Sequence, residues 1–143
     1  MKKRAKLITM MLAACILVMN TSTVFAARKP DTGISVQWSD VSTITSRMEV
    51  DSWGVATVDV AGQVKASSSA DSTELIVDLQ RYENGSWNTI KTWTDKKDVK
   101  FTTVFETYAI ARGYSYRLSI TVKAYKGRVV LESASDTYNY GYY

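Results

Sequence analysis

Tyr114-Ser115-Tyr116-Arg117-Leu118-Ser119-Ile120-Thr121-Val122-Lys123-Ala124-Tyr125 is the stretch that decides the fold. Tyr116, Leu118, Ile120, Val122 and Ala124 occupy alternate positions, and Ser115, Arg117, Ser119, Thr121 and Lys123 fall between them. An apolar period of two held this long belongs to a half-buried β-strand, since successive side chains of an extended chain point to opposite faces. The same period recurs upstream. Ala56, Val58, Val60, Gly62, Val64 and Ala66 alternate with Thr57, Asp59, Gln63 and Lys65, and Leu75, Val77 and Leu79 alternate with Glu74, Asp78 and Gln80.

Turn signals separate these runs. Asp51-Ser52-Trp53-Gly54 divides residues 43–50 from the second strand, and Ser67-Ser68-Ser69-Ala70-Asp71-Ser72 follows it. Glu83-Asn84-Gly85-Ser86 is a hairpin signal, because Asn and Gly accept the positive φ of a tight turn. Its partner strand is residues 87–93, closed by the charged turn Asp95-Lys96-Lys97-Asp98. Residues 99–105 form a fifth strand, residues 114–125 the sixth, and Lys126-Gly127-Arg128 leads into a last strand from Val129 to about Asp136. Seven short strands at intervals of about ten residues, rich in Val, Ile, Thr, Tyr and Trp, predict an all-β domain. One wet face on each sheet makes it a two-sheet antiparallel sandwich. Ser and Thr supply 27 of residues 27–143, and their hydroxyls suit the solvent face of a pleated sheet.

The residues before the first strand read differently. Lys2-Lys3-Arg4-Ala5-Lys6 is a basic start, and residues 7–19 are largely apolar, too few for the roughly 20 that span a bilayer as a helix. Asn20-Thr21-Ser22-Thr23 and then Val24-Phe25-Ala26 complete the pattern of a secretory signal peptide, with cleavage expected between Ala26 and Ala27. Leu12-Ala13-Ala14-Cys15 also fits the pattern before a lipid-modified Cys. Against that, only a short apolar run precedes it, and the product would begin with the apolar Cys15-Ile16-Leu17-Val18-Met19. Ordinary secretion is therefore expected, with lipoprotein anchoring at Cys15 and an uncleaved anchor as the alternatives. The organisation expected is a signal peptide over 1–26, a flexible lead over 27–33 around Pro30, and a sandwich over 34–143.

Cleavage changes the charge. The 143-residue chain carries 18 Lys and Arg against 14 Asp and Glu, but four of the cations are Lys2, Lys3, Arg4 and Lys6. The remaining 117 residues are formally neutral, so the net +4 of the whole chain says nothing about an acidic partner. The lone Cys also leaves, and the domain must be stable through its core alone. At this length it buries roughly two-thirds of its unfolded surface, enough for one unstapled domain.

Residues 111–120, Ala111-Arg112-Gly113-Tyr114-Ser115-Tyr116-Arg117-Leu118-Ser119-Ile120, resemble the approach to the sixth strand of fibronectin type III and immunoglobulin-like sandwiches. There a Gly-containing corner precedes a Tyr whose hydroxyl bonds back to the corner's backbone. The resemblance implies that structural role for Tyr116. The chain after residue 26 is also similar to small exported proteins of Gram-positive bacteria, of unknown function. These share a pattern like Leu79-Gln80-Arg81, Gly85-Ser86-Trp87, Lys91-Thr92-Trp93 and then Gly113 with Tyr116-Arg117. That likeness implies a sandwich and export, and no activity. The Tyr-rich C-terminus departs from the fibronectin pattern.

Composition excludes several chemistries. The chain has no His, so it lacks the usual triad base and the commonest zinc ligand. Asp59, Asp78, Glu49 and Glu74 lie on neighbouring strands, but at outward positions interleaved with Lys or Thr, which reads as a solvated face rather than a carboxylate pair for glycoside hydrolysis. No Gly-rich phosphate loop, calcium loop or basic stripe is present, so no cofactor, metal or nucleic acid is expected, and membrane contact only through the signal peptide. Aromatic residues are the remaining resource, 15 of them after Phe25 leaves with the signal. Trp87, Trp93, Phe101, Phe105 and Tyr116 are expected to fill the core. Trp53, at a turn tip, is either a lid over the end of the sandwich or a contact residue. Tyr138, Tyr140 and Tyr142 alternate, which in an extended chain places them on one face, either to cover a sheet edge or to form a stacking surface. The expected function is non-enzymatic: a binding or adhesion module at the cell envelope that recognises cell-wall glycan or another surface protein through its loop and tail aromatics, with Trp53, Tyr138, Tyr140 and Tyr142 as the expected ligand-binding residues. An exported bacteriocin-like factor is the alternative, and a two-carboxylate hydrolase ranks last.

Overall fold

The computed structural model describes residues 38–143. The expected signal peptide, its expected cleavage point between Ala26 and Ala27, Cys15 and the expected 27–33 lead lie outside them. Seven strands follow in order: β1 Val41–Val50, β2 Val55–Val64, β3 Ser72–Glu83, β4 Ser86–Lys97, β5 Phe101–Ala109, β6 Ser115–Lys126 and β7 Val129–Tyr142. They form two antiparallel sheets, β1-β2-β5 and β4-β3-β6-β7. The domain is thus an all-β, two-sheet sandwich, with β2, β3 and β6 flanked on both sides.

Those central strands carry the cleanest alternation, and their apolar sets meet between the sheets. Val58 and Val60 face Leu75, Val77 and Leu79 and Leu118, Ile120 and Val122, all fully buried. The sheets approach closely at Gly62, where an added Cβ would lie 2.6 Å from Val122 Cγ2. Only a residue without a side chain fits there. Tyr116 is also buried, and its Oη donates to Ala111 O at 2.7 Å, tying β6 to the corner that carries the chain across from β5. Burial pushes the Tyr116 phenol above its usual range, against the opposing effect of that hydrogen bond. At the opposite end Glu132 of β7 accepts N–H bonds from Ser39, Asp40 and Val41 at 2.7, 2.7 and 2.6 Å, and so fixes the start of β1.

Three details differ from the sequence expectation. β4 runs through Asp95-Lys96-Lys97 instead of turning there. Lys96 lies opposite Glu74, and Asp95 holds Lys97 and the Thr102 hydroxyl, so the charge run is a solvated strand and the turn is made by residues 98–100. Phe101 and Phe105 are not core residues. The buried positions of β5 are Thr102 and Val104, and the register that buries them turns the two rings outward, 50% and 69% exposed. β7 continues to Tyr142, six residues past the expected end.

Candidate functional site

The antiparallel order brings the β1–β2 turn, the Asn84-Gly85 hairpin, the 110–114 corner and the C-terminus to one end of the sandwich. Asn84 and Gly85 take φ of 54° and 79°, the left-handed pair that a two-residue hairpin requires. That turn sets Glu83 opposite Ser86 and Tyr82 opposite Trp87. Tyr82 shares the outward parity of Glu74, Asp78 and Gln80, so Trp87 must also face out. This corrects the expectation that Trp87 fills the core: its ring packs on Tyr82, centroids 5.2 Å apart.

Pairing carries this row across the sheet. Trp87 on β4 is level with Tyr82 on β3, Ser115 on β6 and Tyr142 on β7. The next row inward is Thr89, Gln80, Arg117 and Asn139. Arg117 stacks over the Trp87 ring at 4.4 Å while its Nε donates to Gln80 Oε1 at 2.7 Å, and Gln80 Nε2 donates to Thr89 Oγ1 at 3.2 Å. The guanidinium is thus held in a fixed plane. Tyr82 and Tyr142 stand two strands apart, about 9–10 Å at ordinary strand spacing. Between them lies only the small Ser115. The row thus presents aromatic rings and a hydroxyl on one outer face, with an Arg and an amide in the row beside it, and the Tyr142 hydroxyl reaches toward Gly113.

The tail tyrosines do not share a face. The β6–β7 register slips at Tyr140, since Asn139 pairs with Arg117 and Gly141 already pairs with Tyr116. The extra residue is a bulge, and Gly141 takes φ 104°, which a side chain would resist. Ahead of the slip Tyr138 lies opposite buried Leu118, and Tyr138 and Tyr140 pack against the core. Burial, followed by the neighbouring Tyr143 and Tyr138, pushes the Tyr140 phenol upward. After the slip Tyr142 stands on the outer face, 75% exposed. The expectation of three rings on one surface is therefore corrected: the bulge sends two inward and one onto the outer face.

Trp53 is 89% exposed, so the lid role does not apply to it. Asp51 Oδ1 accepts the N–H groups of Trp53 and Val55, and this shapes the turn that displays the ring. Tyr143 is what packs against this end. Its N–H and C=O pair with Tyr114 and Gly113, its ring lies near Gly54, and Arg112 stands 5.4 Å over it. Arg81 stacks at 4.4 Å on Tyr114, and its buried Nε has no hydrogen-bond partner among the described residues.

The other carboxylates fall on opposite outer faces, Glu49 and Asp59 with β1-β2-β5, Glu74 and Asp78 with β4-β3-β6-β7. Glu74 accepts from Tyr125 Oη at 2.7 Å and lies 3.4 Å from Lys123. The Tyr125 bond, then Lys123 and Lys96, outweigh burial and hold its carboxyl below the usual range. Asp95 is likewise held low, first by Lys97 and then by Thr102. Both are built to stay ionised, which does not suit a general acid. Among the described residues no group of three or more His, Cys, Asp or Glu could hold a metal ion. No family model and no curated protein matches the chain.

Proposed function

We propose that this is a secreted, non-enzymatic binding module that acts at the cell envelope and contacts cell-wall glycan through the outer face of β4-β3-β6-β7. One observation carries the reading: the row Trp87, Tyr82, Ser115 and Tyr142, with Arg117 and Gln80 locked beside it. Sugar rings present C–H faces that pack on aromatic rings, and rim hydroxyls that bond to guanidinium and amide groups. Large rigid rings with a few fixed polar groups are the ordinary composition of such a contact. The signal pattern of residues 1–26 would deliver the domain to where such polymers are found, and the motifs that resemble those of Gram-positive exported proteins would put it at that envelope.

The rest of the face supports a long ligand. Beyond the aromatic end the sheet shows rows of Thr92, Asp78, Ser119 and Thr137, then Thr94, Ile76, Thr121 and Ser135. Apart from Ile76, these side chains form a polar track in line with the aromatic row. Co-sedimentation of the protein with purified Gram-positive cell wall tests the proposal. Trp87→Ala and Tyr142→Ala should each weaken binding at least about tenfold, the equivalent of ~1.4 kcal/mol. Trp53→Ala, altering the turn tip across the end of the sandwich, should leave it within about twofold, under ~0.5 kcal/mol. If only Trp53→Ala matters, envelope binding stands and the face is wrong; if wild type fails to sediment, the glycan reading is wrong.

A further inference from the structure

Every open sheet must protect its edges, because an edge strand offers unpaired N–H and C=O groups to any other chain. Four strands are edges here: β1 and β5 of one sheet, β4 and β7 of the other. Three carry recognisable protection. β4 has a register irregularity at its pairing with Leu79/Gln80, and exposed Lys91, Lys96 and Lys97. β7 has two irregularities and the charges of Glu132 and Asp136. β1 has one irregularity and the pair Arg47 and Glu49.

β5 has the least of this. Phe101–Ala109 pairs with β2 without a slip, contains no Gly, Pro, Lys or Arg, and has one charge, Glu106. It also exposes Phe101 and Phe105 on its solvent face. Such a strand is a template for pairing. Its orientation follows from the backbone. Val64 N–H donates to Lys100 O and Ile110 N–H donates to Gly54 O, so even-numbered residues bond toward β2. By alternation the odd-numbered residues, Phe101, Thr103, Phe105 and Thr107, direct their N–H and C=O groups away from it.

We propose that β5 pairs antiparallel with β5 of a second copy of this chain, about a two-fold axis through Thr103, to form a continuous six-stranded sheet. The register is set by self-complementarity. Antiparallel partners must share a face, and the groups that bond across the new edge are the odd ones. Centring on Thr103 sets Phe101 of one copy opposite Phe105 of the other, twice, so that four exposed rings cover one another. The pairs 101/105, 103/103 and 105/101 each exchange two N–H···O bonds, an unbroken ladder. Glu106 falls opposite Lys100 of the other copy, whose amine is pinned by Ala66 O and Ser68 O at 2.8 and 2.6 Å. The two Glu106 side chains are kept about 20 Å apart along the strands. An unrelated extended peptide would satisfy the backbone, but the matched rings and opposite charges are specific to a second copy.

The axis is perpendicular to the sheet, so both β4-β3-β6-β7 faces end up on the same side of the dimer. If those faces bind glycan, they do so as a pair facing one polymer surface.

Sedimentation velocity over a micromolar concentration series tests this. Wild type is expected to show a monomer–dimer equilibrium. Thr103→Lys places two ammonium groups beside each other at the axis, and should raise the dimer dissociation constant at least about tenfold. Thr45→Lys, a matched change at an exposed position of the opposite edge strand β1, should leave it unchanged, and thermal melting verifies that both variants fold. Amide exchange at Phe101, Thr103 and Phe105 should slow as concentration rises. A monomer at every concentration, a dimer that survives Thr103→Lys in a folded protein, or one dispersed by Thr45→Lys overturns the proposal. None of these outcomes bears on glycan binding by a single copy.

Discussion

Gly62→Ala is the sharpest test of how the two sheets meet. Gly62 lies between Ile44 of β1 and Thr102 of β5, and faces Val122 across the interior. An added methyl would stand 2.6 Å from Val122 Cγ2, 3.2 Å from Cγ1 and 3.5 Å from Cβ. Ordinary carbon contact is about 3.5–4.0 Å, so roughly an ångström must be found. Val122 is fully buried and, being β-branched, has little rotamer freedom with which to yield. Overpacking of this kind costs about 1–3 kcal/mol. For a domain of this size that lowers the melting temperature by about 4–8 °C per kcal/mol. Val122→Ala alone should cost about 2–3 kcal/mol through lost burial and a residual cavity. In the double variant the methyl introduced by Gly62→Ala occupies that cavity, so the combined loss should fall short of the sum by about 1–3 kcal/mol. Urea unfolding at constant m-value reads all four corners of the cycle. Additive losses, or a neutral Gly62→Ala, would refute the close approach of the sheets at this point.

Glu132→Gln should cost about 1–2 kcal/mol at neutral pH, since a neutral amide replaces a carboxylate that holds three backbone N–H groups. Burial raises the Glu132 pKa, but the bonds from Val41, Ser39 and Asp40, with Lys65, outweigh it, and the net shift is downward from 4.5. Its contribution is therefore present above the ordinary glutamate range and lost as pH falls through the depressed value, so the acid limb of a pH–stability curve should be flatter in Glu132→Gln. Tyr116→Phe leaves the Ala111 carbonyl without its 2.7 Å partner and should cost about 1–3 kcal/mol in urea unfolding. Tyr142→Ala and Trp53→Ala, both largely exposed, should change stability by less than about 0.5 kcal/mol, so any loss of binding can be assigned to the contact itself.

The parts legible in the sequence are those where one physical rule acts alone. Val58, Val60, Leu75, Val77, Leu118 and Ile120 alternate in strands paired on both sides, and all are buried as the period requires. Phe101 and Phe105 misled because β5 is an edge, where a threonine can be the buried residue: Thr102 is fully buried with its hydroxyl on Asp95, while larger rings stay outside. Trp87 could have been placed correctly. The Asn84-Gly85 turn fixes Tyr82 opposite Trp87, and Tyr82 shares the parity of Asp78 and Gln80; ranking the ring by size alone hid this. Tyr142 could not, because a bulge at Tyr140 breaks the alternation and the only local hint is Gly141. The aromatic row is thus a product of register, assembled from four strands that no local motif connects.

The central claim is that the Trp87, Tyr82, Ser115 and Tyr142 row is the contact face. Titrating isotopically labelled protein with soluble cell-wall glycan fragments, and following backbone amides with the Trp indole and Arg117 Nε–H signals, tests it most directly. Shifts should concentrate at Gln80, Tyr82, Trp87, Ser115, Arg117 and Tyr142, with the Trp53 indole unmoved. Shifts centred on the 51–54 turn, or an unperturbed spectrum at saturating fragment, would contradict it.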